Sequence, residues 1–109
     1  MKNANLSNKK HWRATLASTL PSKETRKKAV SLKYNLEKKG APKITAKGQG
    51  EVANTIIRLA KEHNIPIRED ADLVELLSKV ELDREIPPAL YKAVAEVFSF
   101  LYKMTNKKP

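Results

Sequence analysis

The chain has 109 residues, 40% of them apolar, no cysteine and a formal net charge of +10. This length supports one small domain with a single modest core, not a deep enclosed active site as well, and the missing cysteines exclude disulfides and thiolate metal sites and point to a reducing compartment. Imidazole is available only at His11 and His63, in separate segments, so no metal or cofactor is expected, and no apolar run approaches the roughly 18 residues of a membrane span.

The charge is unevenly spread. Residues 1–47 hold 13 Lys and Arg against Glu24 and Glu37, a net of +11, while residues 48–109 hold nine against ten acids, a net of −1. A half this basic suits an acidic partner, a nucleic acid or an anionic membrane surface, or is simply a solvated tail.

Residues 1–28 read as a basic tail. Within it Trp12, Leu16 and Leu20 recur every four residues ahead of Pro21, which predicts a short amphipathic helix over 11–20 that is marginal on its own. From Ala29 the period becomes two: Val30, Leu32 and Tyr34 alternate with Ser31 and Lys33, as in a half-buried strand. A turn containing Gly40 leads to a second strand at Lys43-Ile44-Thr45-Ala46. Gly48 and Gly50 then introduce a helix from Glu51 to Glu62 with Val52, Ile56, Leu59 and Ala60 inward, ended by His63-Asn64.

Ile65-Pro66-Ile67 is extended, and because Pro66 has no N–H to donate, this strand belongs at an edge or bonds through its other residues. Asp70 or Asp72 caps a helix running to about Val80, with Leu73, Leu76, Leu77 and Val80 inward. Pro87 and Pro88 fit only the first turn of a helix, so they mark where the last one begins. Leu90, Val94, Val97 with Phe98, and Leu101 make its apolar stripe. The expected fold is α/β: a small mixed sheet of three to four strands, about three helices, a body over 29–105 and a short tail at 106–109.

No constellation of catalysis stands out. Gly48-x-Gly50 lacks the third glycine of a dinucleotide fingerprint and the Gly-Lys-Ser/Thr of a P-loop, and a tight strand-to-helix turn explains it. The acids from Glu69 to Glu85 lack the spacing of a calcium loop, and no Ser or Thr has a His or Lys partner set by spacing. The chain is expected not to be an enzyme. The cations between Lys9 and Lys47 would suit a phosphate backbone, although Trp12 and Tyr34 are the only aromatics interleaved with them; a nucleic-acid or acidic-protein binding module is the alternative reading.

Ala29-Val30-Ser31-Leu32-Lys33-Tyr34, Ala41-Pro42-Lys43, Ala46-Lys47-Gly48-x-Gly50-Glu51, Ile65-Pro66-Ile67, and Ile86-Pro87 followed by Tyr91 to Val97 together resemble the C-terminal cytoplasmic domain of the FlhB family, the flagellar type III export-gate proteins. The resemblance covers Ala29 to about Met104. It implies a cytoplasmic protein working at the inner face of the membrane, with export-gate membrane proteins or export substrates as partners and a role in switching substrate specificity. Family members carry membrane helices upstream, so the chain resembles a freestanding copy of the cytoplasmic domain.

The family's self-cleavage motif, Asn-Pro-Thr-His, aligns with Glu24-Thr25-Arg26-Lys27. Without the amide nucleophile and the proline, self-cleavage is not expected. The strand that precedes this motif in the family is not evident in the helical spacing of Leu16 and Leu20, which favours three strands over four. The family's apolar docking patch corresponds to Ala41, Pro42, Ala95 and Phe98; Asp72-Leu73-Val74-Glu75 stands where the family has Pro-Leu-Ala-Arg. Leu90, Val94, Val97 and Leu101 complete an inward stripe without Phe98, so Phe98 is expected to lean toward the docking surface.

Overall fold

The computed structural model describes residues 11–18, 27–35, 37 and 40–105, without the side chains of His11 and residues 101–105. Its elements are β1 (His11–Ser18), β2 (Lys28–Asn35), β3 (Lys43–Gln49), α1 (Glu51–Glu62), β4 (Ile67–Glu69), α2 (Ala71–Leu77), a 3₁₀ turn (Pro88–Leu90) and α3 (Tyr91–Thr105). The mixed sheet has the order β3-β2-β1-β4, antiparallel except for the parallel β1–β4 pair. The α/β class is as expected, and the sheet has four strands, within the three to four expected.

The extra strand is where a helix was expected. Residues 11–18 are extended, and β1 lies between β2 and β4 in the middle of the sheet. Trp12 and Leu16 satisfy both an i, i+4 helical stripe and every second position of a strand; Ala14, wholly buried between them, carries the period of two. Leu20 and Pro21, which supported the helix, lie outside the described residues, as do Glu24, Thr25 and Arg26. In the β1–β2 register Trp12 faces Tyr34, Ala14 faces Leu32 and Leu16 faces Val30, so each core position on one strand meets another across the ladder.

Those residues form the larger core with Ile44, with Leu73, Val74 and Leu77 of α2, with Ile86, and with Val94, Val97 and Phe98 of α3. A smaller cluster, Ala29 with Ala53 and Ile56, seats α1 on the opposite face of the sheet. Burying each large aliphatic side chain contributes about 1.5–3 kcal/mol. A bulge in β3 serves both faces. Ser31 pairs with Ala46 but Leu32 pairs with Ile44, leaving Thr45 as the extra residue, so that Ile44 joins the larger core and Ala46 packs with the smaller one.

The inward face of α1 is Ala53, Ile56 and Ala60; Val52 and Leu59, expected inward, are exposed. Small residues let the helix lie close against Ala29. At its start Gly50 holds φ 61°, ψ −127°, a conformation glycine tolerates, and a Cβ on Gly48 would come within 2.1 Å of Val52 Cγ1. At its end Asn64 adopts φ 58°, with Ile65 N–H donating to Ala60 O and Asn64 N–H to Lys61 O, the 6→1 and 5→2 bonds of a Schellman cap.

Asp70 caps α2 by accepting from Leu73 N–H at 3.1 Å. The helix ends at Leu77, its buried positions are Leu73, Val74 and Leu77, and Leu76 is exposed rather than inward. Lys47 reaches over from β3 and donates to the C-cap carbonyl of Ser78 at 3.0 Å and to Val80 O, in the turn beyond the helix, at 2.7 Å.

Both sheet edges follow from local sequence. Pro66 contributes only its carbonyl, accepting from Thr15 N–H at 2.9 Å, as a proline at an edge strand must. Along the free side of β3, Ile44 and the chain at Asp83 and Arg84 exchange two backbone bonds and Ile86 N–H donates to Pro42 O, so residues 83–86 cover part of that edge.

Candidate functional site

Phe98 is the starting point. It is 6% exposed, inside the larger core rather than leaning outward, because the sheet presents two aromatic residues to it. Trp12 and Tyr34, opposite one another on β1 and β2, place their ring centroids 6.1 and 6.0 Å from that of Phe98, tilted by 36° and 45°. These are favourable aromatic geometries, each worth about 0.5–1.5 kcal/mol beyond burial. The inward stripe of α3 is therefore Val94, Val97 and Phe98, with Leu90 partly buried; the side chain of Leu101 lies outside the described residues.

The same ring floors a groove. Trp12, Tyr34, Gly40, Ala41, Pro42, Tyr91, Ala95, Phe98 and Ser99 line a recess of about 300 Å³. Each wall has a sequence cause. The turn after β2 brings Ala41 and Pro42 back over the sheet, and Pro42 is anchored through its carbonyl by Ile86 N–H at 3.0 Å. The proline-led 3₁₀ turn sets the start of α3, whose outward positions Tyr91 and Ala95, one helical turn apart, form the opposite lip. Ala95 is exposed and Tyr91 is 47% exposed.

All four residues expected at a docking patch, Ala41, Pro42, Ala95 and Phe98, thus line one recess. Trp12, Tyr34 and Tyr91 were not anticipated there. The signal for Trp12 and Tyr34 was the alternation of β1 and β2, which becomes readable once residues 11–18 are taken as a strand; for Tyr91 it was the i, i+4 spacing to Ala95. Of the segment matching the cleavage motif, only Lys27 is described: it is exposed and its carbonyl accepts from Gly50 N–H at 2.8 Å.

The groove has an apolar and aromatic lining, with the hydroxyls of Tyr34, Tyr91 and Ser99 as its side-chain oxygens. Its lining holds no carboxylate, imidazole, amine or thiol, and its volume is at the lower end of ligand clefts. Among the described residues no group of three or more His, Asp or Glu side chains could hold a metal, and no helix is long and apolar enough to cross a membrane. The cations weighed for nucleic acid include two with structural work: Lys47 at the end of α2, and Lys28, whose Nζ donates to Glu75 Oε1 at 2.7 Å. That hydrogen bond, with the Lys28 charge behind it, holds the Glu75 carboxyl below its ordinary range.

Known proteins place the chain consistently. The family model described as the FlhB HrpN YscU SpaS Family matches residues 25–101. An uncharacterized Bacillus subtilis protein, YlqH, is 50% identical over 86 residues, covering 75% of this chain and 92% of that protein. The flagellar biosynthetic protein FlhB of Aquifex aeolicus is 43% identical over 81 residues, 73% of this chain but only 23% of that protein. The crystal structure of the cytoplasmic domain of FlhB from Shewanella putrefaciens superposes with a TM-score of 0.73 at 27% identity, over 84% of this chain and 70% of that one. By its sequence from residue 25 to residue 101, and by a fold shared with that cytoplasmic domain, the chain belongs to the FlhB HrpN YscU SpaS family.

Proposed function

We propose that this protein serves type III protein export as a non-enzymatic counterpart of the cytoplasmic domain of FlhB, assisting or substituting for it in flagellar export and in the switch of substrate specificity. It works in the cytoplasm, recruited to the inner face of the membrane at the export apparatus. The supporting observation is the groove of Ala41, Pro42, Ala95 and Phe98 in a chain of this family: an apolar recess, open at Tyr91 and Ala95, whose lining holds no carboxylate, imidazole or amine. Such a recess takes an apolar side chain from an extended or helical segment of an export substrate or gate subunit.

Self-cleavage is not part of this role, because Glu24-Thr25 offers neither the amide nor the proline of the family's scissile bond. Purified protein held at neutral pH keeps its full mass; a fragment starting at Thr25 would restore autoprocessing. The export role itself is tested by using the chain as bait on solubilised membranes of a flagellated host at moderate salt. Recovery of export-gate subunits is expected, and recovery only of ribonucleoprotein that falls away steeply with salt would contradict it.

A further inference from the structure

The face of the sheet that carries α1 is only partly covered by that helix. Ala53, Ile56 and Ala60 sit over the end near Ala29, and beyond them the sheet opens into a recess of about 290 Å³ lined by Arg13, Ala14, Thr15, Ser31, Leu32, Lys33, Thr45 and Ile65. This recess is separate from the aromatic groove: Arg13, Thr15 and Lys33 alternate with Trp12, Ala14, Leu16, Leu32 and Tyr34, which face the larger core.

Its composition is unusual for a bare sheet surface. Arg13 and Lys33 are direct cross-strand partners, and Lys33 is in turn partnered by Lys43, so three cations occupy one row across three strands. Like charges placed opposite one another destabilise a sheet. Neither Arg13 nor Lys33 forms an ion pair among the described residues; the only acid in register with the row is Glu85, across the far edge from Lys43. The next row is hydroxylic. Thr15 is 1% exposed, yet its Oγ1 has only Ser31 Oγ for company, at 3.4 Å, beyond the usual length of an O–H···O bond. The bulge adds Thr45, whose Oγ1 donates to Ser31 O at 3.2 Å.

We propose that this recess is an oxyanion site that takes a phosphate or phosphomonoester group. A guanidinium and an ammonium lining one recess with the hydroxyls of buried Thr15 and half-buried Ser31 supply the charge-assisted hydrogen bonds that such a dianion needs, and its charge removes the repulsion that the row of cations otherwise carries. The small volume of the recess favours a single phosphoryl group over a polymer backbone. The site rests on residues that the groove does not use, so it stands or falls independently of docking there.

The test is a titration of the full chain with inorganic phosphate at constant ionic strength, followed by amide chemical shifts and by thermal unfolding. Saturable shifts are expected at Arg13, Thr15, Ser31, Lys33 and Thr45, with chloride at the same ionic strength giving none. Lys33→Gln weakens phosphate binding about tenfold or more, as the loss of a hydrogen bond to a charged group implies, while Arg84→Gln, a cation elsewhere on the surface, leaves it unchanged. Lys33→Gln also raises Tm in low salt without phosphate, by relieving repulsion, and loses the stabilisation that phosphate gives the parent chain; this reversal of order excludes a simple folding defect. Shifts that are non-saturable, spread over every cation, or untouched by Lys33→Gln would overturn the proposal. So would binding of a Glu-rich peptide, of single-stranded RNA or of anionic vesicles through this recess without binding of phosphate.

Discussion

Phe98 of the last helix and Trp12 of the first strand hold their ring centroids 6.1 Å apart, so the first and last described elements meet at the floor of the groove. The contact makes Phe98 a core residue as well as a groove residue. Phe98→Ala is expected to cost about 3–5 kcal/mol, and a double-mutant cycle with Trp12→Ala should show about 0.5–1.5 kcal/mol of coupling. Chemical denaturation of the four proteins measures both; additive losses would mean that the rings do not support one another.

Because β1 separates β2 from β4, residues 11–18 are part of the fold rather than of a dispensable tail. A chain beginning at Lys27 should lose cooperative unfolding, since Val30 and Leu32 lose their partners and β4 its only neighbour among the described residues. Circular dichroism and thermal melts of the truncated protein provide the check. A sharp native-like transition would show that the body folds without its central strand.

Lys47 is expected to matter for stability through two carbonyls rather than through any external anion. Lys47→Met keeps the apolar stem but removes the donors to Ser78 O and Val80 O, and should cost about 1–2 kcal/mol. The loss should persist at high salt, because the ammonium is partly buried. An unchanged denaturation midpoint would remove Lys47 from the account of α2.

The Lys28–Glu75 pair sets a small acid-side dependence. Glu75 has a lowered folded-state pKa, so its contribution is present above the carboxylate's unfolded value and is lost as pH falls through the folded one. Glu75→Gln should flatten that limb of a stability–pH curve slightly at low ionic strength and not at high, since the pair is exposed. An equal effect at both ionic strengths would contradict a solvent-screened pair.

Much of this architecture was legible from local pattern. The bounds of α1 follow from two glycines ahead of it and His63-Asn64 behind, β2 from its alternation, the presence of an edge strand next to Pro66 from that proline, although the strand is Ile67–Glu69 rather than residues 65–67, and the start of the last helix from its proline pair. What stayed hidden depends on tertiary partners. Trp12 and Leu16 fit two periods equally, and only pairing with Tyr34 and Val30 decides between them. Phe98 looked surplus to a complete stripe until the sheet supplied two rings beside it. The rotation of α1 that exposes Val52 and Leu59 reflects how closely a helix bearing Ala53 and Ala60 can approach Ala29, which no single-helix pattern reports. For the groove, family resemblance supplied four residues, and the three aromatic walls came from packing.

The central claim, that the groove receives an apolar segment of an export partner, is tested most directly at Ala95, which is exposed and lines it. Ala95→Glu places a charge in the recess without touching the core, so thermal unfolding should shift little. Calorimetry against a purified flagellar export substrate or the recovered gate subunit should then show binding by the parent chain and a loss of about tenfold or more in the variant, the range expected when a hot-spot contact is removed. Unchanged affinity in a normally folded Ala95→Glu protein would contradict docking at this groove.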